Sequence, residues 1–188
     1  MRLPSARQLW RSTVRAVLNP GWKQRALRSR HLNQAITRFQ HRAIHRDLTA
    51  DTLGGISDDE ILQAVYDCVE TRLPQGHVGV LPTGTGIPGG CASIYYFRTM
   101  DYDVWNGGFD QFLDGADPDL TAHTVQALRF LGLAQMADTV VEAQQRFASG
   151  DSMSRCDARY AELQPAAEQH IIHFIRRRPD EFTTTNMG

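Results

Sequence analysis

The sequence predicts an all-α fold, and three observations support this expectation. Apolar residues recur every three or four positions in each long segment between glycine- or proline-rich breaks. No segment shows the sustained alternation of apolar and polar residues that is typical of a half-buried strand. Signals for helix ends separate the segments, for example Asp117-Pro118 at a start and Gly132 at an end. We expect a compact multi-helix domain preceded by a basic helical arm.

Composition excludes several classes of protein. The 188 residues are 41% hydrophobic, which is enough to bury one core. Three cysteines, far apart and odd in number, do not form a disulfide framework, so we expect a reducing compartment. No apolar run reaches the roughly 18–20 residues of a membrane span, and the first residues lack the apolar stretch of a secretory signal. The sequence therefore predicts a cytoplasmic protein.

Charge divides the chain into two parts. Residues 1–46 contain eleven Lys and Arg and no acidic residue, whereas residues 47–188 contain nine basic and twenty-one acidic residues. This asymmetry predicts regions with different partners, or one region that folds back on the other. We divide the chain into a basic amphipathic helical arm (1–46), an acidic all-α domain (47–182) and a flexible tail (183–188).

The arm is expected to form two amphipathic helices separated by Asn19-Pro20-Gly21. Among the arginines of its second half, we select four as the candidate contact residues: Arg28, Arg38, Arg42 and Arg46. Such helices suit nucleic acid, an anionic membrane surface or an acidic protein face. We expect the second helix, residues 27–46, to dock on the domain and shield its acidic face.

The domain is expected to contain five helices in order, at residues 57–72, 92–105, 117–131, 133–148 and 166–178. Ser57 and Glu60 form a capping-box pattern at the first of them. The glycine- and proline-rich segment 73–90 predicts a long loop, and it matches neither phosphate-binding glycine motif. Residues 109–113 are expected to form a short apolar turn, and Phe147 to point into the core.

Few residues suggest catalysis or metal binding. Cys91 follows two glycines at a helix start, where a thiolate could be stabilised, but a small buried thiol is the favoured interpretation. His170 and His173 are spaced as two metal ligands on one helical face, without a third ligand or a known zinc motif. The sequence therefore predicts no enzyme, no metal and no cofactor.

An acidic cluster is the more informative feature. Six aspartates fall within nineteen residues that contain no basic residue: Asp101, Asp103, Asp110, Asp114, Asp117 and Asp119. Their spacing does not fit a calcium-binding EF-hand loop. Carboxylates that are not neutralised by metal form a negative surface, which can imitate the field of a nucleic-acid backbone. We predict that this acidic face binds a partner protein.

The segment Asn106-Gly107-Gly108-Phe109-Asp110-Gln111-Phe112, after the aromatic residues 95–97, resembles the DNA-mimic-protein family. The resemblance extends from about residue 57 to 147, and more weakly to Asp180-Glu181-Phe182. It implies an all-α, cytoplasmic, non-enzymatic protein, a homodimer, and an acidic surface that sequesters a regulator of transcription. The motif itself is expected to be structural, with Asn106 as a cap, both glycines in a bend, and Phe109 and Phe112 in the core.

We therefore predict a protein-interaction module whose acidic face binds a nucleic-acid-binding or regulatory protein. The alternative is that the arginine-rich arm binds nucleic acid or an anionic membrane and that the domain is a scaffold. A third hypothesis, an enzyme that uses Cys91 or the His170–His173 pair, is the least favoured.

Overall fold

The computed structural model describes residues 40–114 and 117–184. The chain divides into two compact units, Met1–Ile44 and His45–Gly188, and only residues 40–44 of the first are described. The first predicted arm helix, Arg28 and Arg38 lie outside the described residues, and so does most of the second predicted helix, residues 27–46, with its docking. Residues 40 and 41 are helical but residues 42–46 are not, so the prediction that this helix extends to Arg46 is wrong.

The predicted all-α class is confirmed, because the described residues form helices and no strand. The α-helices are α1 (Ala50–Gly55), α2 (Asp58–Glu70), α3 (Gly89–Asp114), α4 (Pro118–Phe130), α5 (Ala134–Ser149) and α6 (Ser154–Arg177), followed by a 3₁₀-helix (Pro179–Phe182). In the described part of the chain, none of these helices has the length and apolar character to cross a membrane.

Helix α3 is the centre of the core. It packs against α2, α4, α5, α6 and the 3₁₀-helix. Its side chains Ile94, Phe97 and Met100 are completely buried. A helix that is apolar over most of its circumference must be surrounded by other elements, and this explains why the remaining helices pack around α3.

The start of α2 differs in detail from the predicted capping box. Ser57 precedes the helix, but its hydroxyl does not accept from a backbone amide. It donates instead to Glu60 Oε2, over 2.9 Å. The hydroxyl therefore makes a charge-assisted hydrogen bond with the carboxylate in place of the predicted bond with a backbone amide.

The loop before α3 is confirmed and is held by two tyrosines. The hydroxyl of Tyr95 donates to the Gly79 carbonyl, and that of Tyr96 accepts from the Leu81 amide, each over 3.1 Å. The Tyr96 ring also stacks on His123 of α4 at 5.3 Å. The loop is therefore fixed to the α3 surface in its middle.

Helices α4 and α5 end as predicted. Gly132 has φ of 78°, and the Leu133 amide donates to the Leu128 carbonyl over 2.8 Å, which is the Schellman arrangement. Gly150 ends α5 in the same way, with φ of 71°. The prediction that Phe147 points into the core is wrong, because this side chain lies in the last turn of α5 and is exposed.

Helix α6 begins twelve residues before the predicted start at residue 166, at Ser154. Pro165 lies inside it, where it removes one backbone donor. The affected turn is on the exposed side, since Ala161 and Pro165 are both exposed, so water can bind the carbonyl left unpaired.

Near the C-terminal end of α6, the Arg176 guanidinium donates to the carbonyls of Leu53 and Ile56 and so joins α6 to the end of α1.

The two ends of the domain are joined by a pair of hydrogen bonds. The Leu48 amide donates to Thr184 Oγ1 over 2.7 Å, and the Thr184 amide donates to the Leu48 carbonyl over 2.9 Å. Thr184 is buried. Of the segment predicted as a tail, residues 183 and 184 are thus part of the packed domain, and residues 185–188 lie outside the described residues.

Candidate functional site

A kink in α3 shapes the region that carries most of the predicted site residues. Gly107 (φ −162°, ψ 19°) and Gly108 (φ 74°, ψ −174°) leave the helical conformation, and the helix resumes at Phe109. The conformation of Gly108 is essentially restricted to glycine. The predicted break is therefore confirmed, but residues 109–114 form a second helical segment where a short apolar turn was predicted.

Both sides of the kink are capped by side chains. Before it, Asn106 Nδ2 donates to the Tyr102 carbonyl over 2.6 Å. After it, Asp157 of α6 accepts the Phe109 amide over 2.8 Å. Asp157 thus acts as an N-cap for the second segment from a different helix.

Close approaches explain why both kink positions are glycines. A Cβ on Gly107 would lie 2.5 Å from Gln111 Oε1, and one on Gly108 would lie 2.9 Å from Asp157 Oδ1. In this geometry Gly107 and Gly108 form the bend, and the Asn106 side chain bonds to the turn before it. Gln111 fills the space above Gly107, and its Nε2 donates to Asp103 Oδ1 over 3.3 Å.

The second segment is anchored by Phe109 and Phe112, which are buried as predicted. The Phe109 ring meets Tyr160 of α6 edge-on, with centroids 5.9 Å apart. Asp110 and Asp114, four residues apart on this short helix, are exposed. The buried phenylalanines thus fix which face of the segment points to water.

Asp101 is not part of an exposed acidic face. It is 4% exposed, accepts a hydrogen bond from the Tyr160 hydroxyl, and pairs with Arg98 at 3.0 Å. Burial and the neighbouring Asp101 charge raise the pKa of Tyr160. The prediction that Asp101 binds a partner is therefore wrong, because the interior of the domain already satisfies its carboxylate.

The other five aspartates of the cluster differ in how far their side chains are exposed. Asp103 is half-buried beside Gln111. Asp110, Asp114, Asp117 and Asp119 are exposed, and no ion pair within residues 40–114 and 117–184 engages them. Asp117 also caps α4, since its Oδ1 accepts the Asp119 amide over 2.9 Å. We call these four carboxylates the aspartate face.

A large aromatic side chain lies on α3, just before the kink. Trp105 is 64% exposed and precedes Asp110 by five residues. Exposed tryptophan is unusual on a surface without a partner. The sequence shows that Trp105 directly precedes the predicted break, but the exposure of its side chain is visible only in the structure.

The arm residues can be placed only in part. Arg42 is partly buried and Arg46 has an exposed side chain. The Arg46 carbonyl accepts the Cys68 thiol over 3.3 Å, so this residue lies at the start of the second unit.

Cys91 and the two histidines do not form a catalytic constellation. Cys91 is completely buried and its thiol donates to the Phe182 carbonyl over 3.3 Å. Burial raises the pKa of Cys91 to about 12, which opposes formation of a thiolate. His170 and His173 are exposed, and among the described residues no group of three or more His, Cys, Asp or Glu is placed to hold a metal ion.

Comparison with protein families matches the region just described. Residues 86–178 match the family model of DMP19-like proteins. DMP19 is a family of DNA-mimic proteins. The DMP19-like segment covers just under half of the chain and contains the kink, Trp105, the aspartate face and Asp157. No curated protein and no solved structure matches the chain.

Proposed function

We propose that the domain is a protein-interaction module whose aspartate face binds a basic protein that itself binds nucleic acid or regulates transcription. The observation that carries this proposal is four exposed carboxylates on consecutive helical segments with no ion pair in the described part of the chain. The match to DMP19-like proteins supports the same class of function.

The electrostatics favour a partner with clustered arginine or lysine. Asp110 and Asp114 are one helical turn apart, so their Cβ atoms are about 6 Å apart. Asp117 and Asp119 continue the negative charge onto α4. A surface built to contact phosphates carries cations that meet such carboxylates over similar short distances, with attraction that weakens in salt.

Trp105 gives the proposed interface an apolar anchor. Charged rims contribute mainly to association rate and specificity, whereas buried aromatic residues contribute most of the binding free energy. An arginine of the partner can stack on the indole and still reach a carboxylate. We propose that Trp105 is covered in the complex.

We also propose that the protein is not an enzyme and that it acts in the cytoplasm. The buried thiol of Cys91, with its raised pKa, is unsuited to nucleophilic attack. All three cysteines are free and buried, which is consistent with a reducing compartment.

The test is capture of basic proteins by the immobilised full-length chain, followed by elution with duplex DNA. Changing all four aspartates of the face to asparagine should abolish the DNA-eluted fraction, while the Asp117 cap is kept because asparagine caps equally well. The matched control changes Asp51, Asp138 and Asp151 to asparagine and Glu162 to glutamine, four other exposed acids. Loss of capture in both variants, or in neither, would contradict the proposal.

Trp105 is tested separately. Trp105→Ala should weaken binding of the captured protein by at least about tenfold, as truncation of a hot-spot aromatic does. Val78→Ala is the control, because Val78 is an exposed apolar residue in the loop before α3. Equal affinities for wild type and Trp105→Ala would remove the tryptophan from the interface.

The charge of the arm supports a second candidate function, binding of nucleic acid or anionic membrane through residues 1–46. Eleven cations without an acid give a steep salt dependence, because each neutralised phosphate contributes about one unit to the log–log slope. Replacing Arg28, Arg38, Arg42 and Arg46 by glutamine should reduce that slope in a gel-shift or liposome-sedimentation series. An unchanged slope would exclude these arginines from binding.

A further inference from the structure

The last two turns of α6 carry a cavity that the proposed function does not use. The cavity has a volume of about 270 Å³ and is lined by His170, Phe174, Arg177 and Arg178. His170, Phe174 and Arg177 are spaced four and three positions apart and so share one face of the helix, and Arg178 follows directly as its C-cap. An aromatic ring and three basic side chains therefore meet around one space, within a domain that is otherwise strongly acidic.

Phe174 forms an apolar floor that is held in place. Its ring is edge-on to Phe130, with centroids 5.7 Å apart, and edge-on to Phe182, at 6.1 Å. Phe130 is partly exposed beside it. Arg178 lies over the Phe174 ring, and the part of this ring that lines the cavity remains open to a further ring.

The wall formed by His170 is also fixed by packing. Gly132 at the end of α4 approaches this imidazole so closely that a Cβ there would lie 2.9 Å from His170 Nε2. The imidazole thus packs over the turn between α4 and α5.

The three consecutive arginines at the end of α6 have different partners. Arg176 is occupied by Asp58, at 2.7 Å, and by the end of α1. Arg178 pairs with Glu181 at 2.9 Å and lies 5.3 Å from the centre of the Phe174 ring. Within the described residues, neither an ion pair nor a hydrogen bond engages the Arg177 guanidinium, which is exposed at the rim.

We propose that this cavity binds a small planar aromatic anion, with its ring on Phe174 and its carboxylate, sulfonate or phosphate on Arg177. A free inorganic anion would leave the apolar floor uncovered. An uncharged aromatic molecule would make no charge-assisted hydrogen bond to the exposed Arg177 guanidinium. Only a molecule with both features satisfies both parts of the lining, and such binding is independent of the aspartate face.

The test uses 2-naphthoate as the probe and the full-length protein, observed by amide NMR. We expect saturable shifts at residues 170–178 and at 130–132. The neutral isostere 2-naphthamide and the non-aromatic anion cyclohexanecarboxylate should each bind at least about tenfold more weakly, because each lacks one of the two features. Residue-resolved shifts separate this site from any binding of the probe to the basic arm.

Two variants then test which residues bind the anionic group and the aromatic ring of the probe. Arg177→Gln should raise the Kd for 2-naphthoate about tenfold, and Phe174→Leu should raise it while circular dichroism shows that the helices are retained. Arg155→Gln is the matched control, because Arg155 is about 33 Å away along the same helix. No saturable shift at residues 170–178, equal affinity for 2-naphthamide, or an unchanged Kd in Arg177→Gln would overturn the proposal.

Discussion

Asp157 shows how much of this site depends on one residue far away in the sequence. It accepts the Phe109 amide from a position 48 residues further along the chain and packs against Gly108. By its sequence alone, Asp157 is one charged residue in a segment for which no helix is predicted. Its function as the cap of the α3 kink becomes visible only when α3 and α6 are packed together.

Asp157→Ala should lower the free energy of unfolding by about 1–2 kcal/mol, the cost of removing a good N-cap. Asp157→Asn should cost much less, since its side-chain oxygen can still accept the Phe109 amide. Urea unfolding of the two variants measures the difference. Similar losses in both would mean that the charge of Asp157 matters more than its hydrogen bond.

Glu168 gives a pH-dependent prediction. Burial, and then repulsion from Asp101, raises the pKa of Glu168, although Arg98 lies 3.7 Å away and opposes the shift. The folded state thus holds this proton more tightly than the unfolded chain does. The resulting stability is fully present below the ordinary glutamate pKa of about 4.3 and is lost as the pH rises through the raised value.

Glu168→Gln should therefore be more stable than wild type at pH 7, and the difference should shrink toward zero below about pH 4. Thermal unfolding of both proteins over this pH range tests the sign. A variant that is less stable than wild type at pH 7 would show that the contact with Arg98 outweighs burial.

At the scale of elements, glycine positions control where helices end or bend. Gly150 and Gly108 both have positive φ, but Gly150 has open space around it and Gly108 is packed against Asp157. The ψ values also differ, since Gly150 (ψ 20°) is in the left-handed helical region and Gly108 (ψ −174°) is not. Alanine adopts the first conformation at moderate cost and the second hardly at all.

Gly150→Ala should therefore cost about 1–2 kcal/mol of unfolding free energy. Gly108→Ala should cost about 3 kcal/mol or more, because steric conflict with Asp157 adds to backbone strain. Denaturant unfolding compares the two variants directly. Equal losses of unfolding free energy in the two variants would indicate that the kink rearranges to accommodate the methyl group at position 108.

Local signals predicted most helices because the information that defines their ends is local. Asp117-Pro118 and Gly132 mark α4 in the sequence, and the structure places its ends there. The predicted start of α6 follows Pro165, whereas the observed helix contains this proline in a turn that faces water, which the sequence does not show. The site was predicted less completely: Asp101 and Asp110 are identical residues in one acidic segment, and only tertiary packing buries the first and exposes the second.

At the scale of the whole molecule, we propose that the negative charge of the domain is a binding surface for a protein that otherwise binds DNA. The domain has nine basic and twenty-one acidic residues, and the aspartate face contributes part of its net negative charge. Most arginines of the domain have partners in the interior or on neighbouring helices, for example Arg98 with Asp101. No ion pair in the described part of the chain engages the four carboxylates of the face, which leaves their field directed outward.

The most direct test of this claim is competition between the protein and labelled duplex DNA for the captured partner. Wild type should displace the DNA in a saturable and salt-sensitive manner, because both ligands use the same cations of the partner. The variant with asparagine at Asp110, Asp114, Asp117 and Asp119 should fail to displace it, while the control at Asp51, Asp138, Asp151 and Glu162 displaces it as wild type does. A partner that holds the DNA and the wild-type protein at the same time would contradict the account.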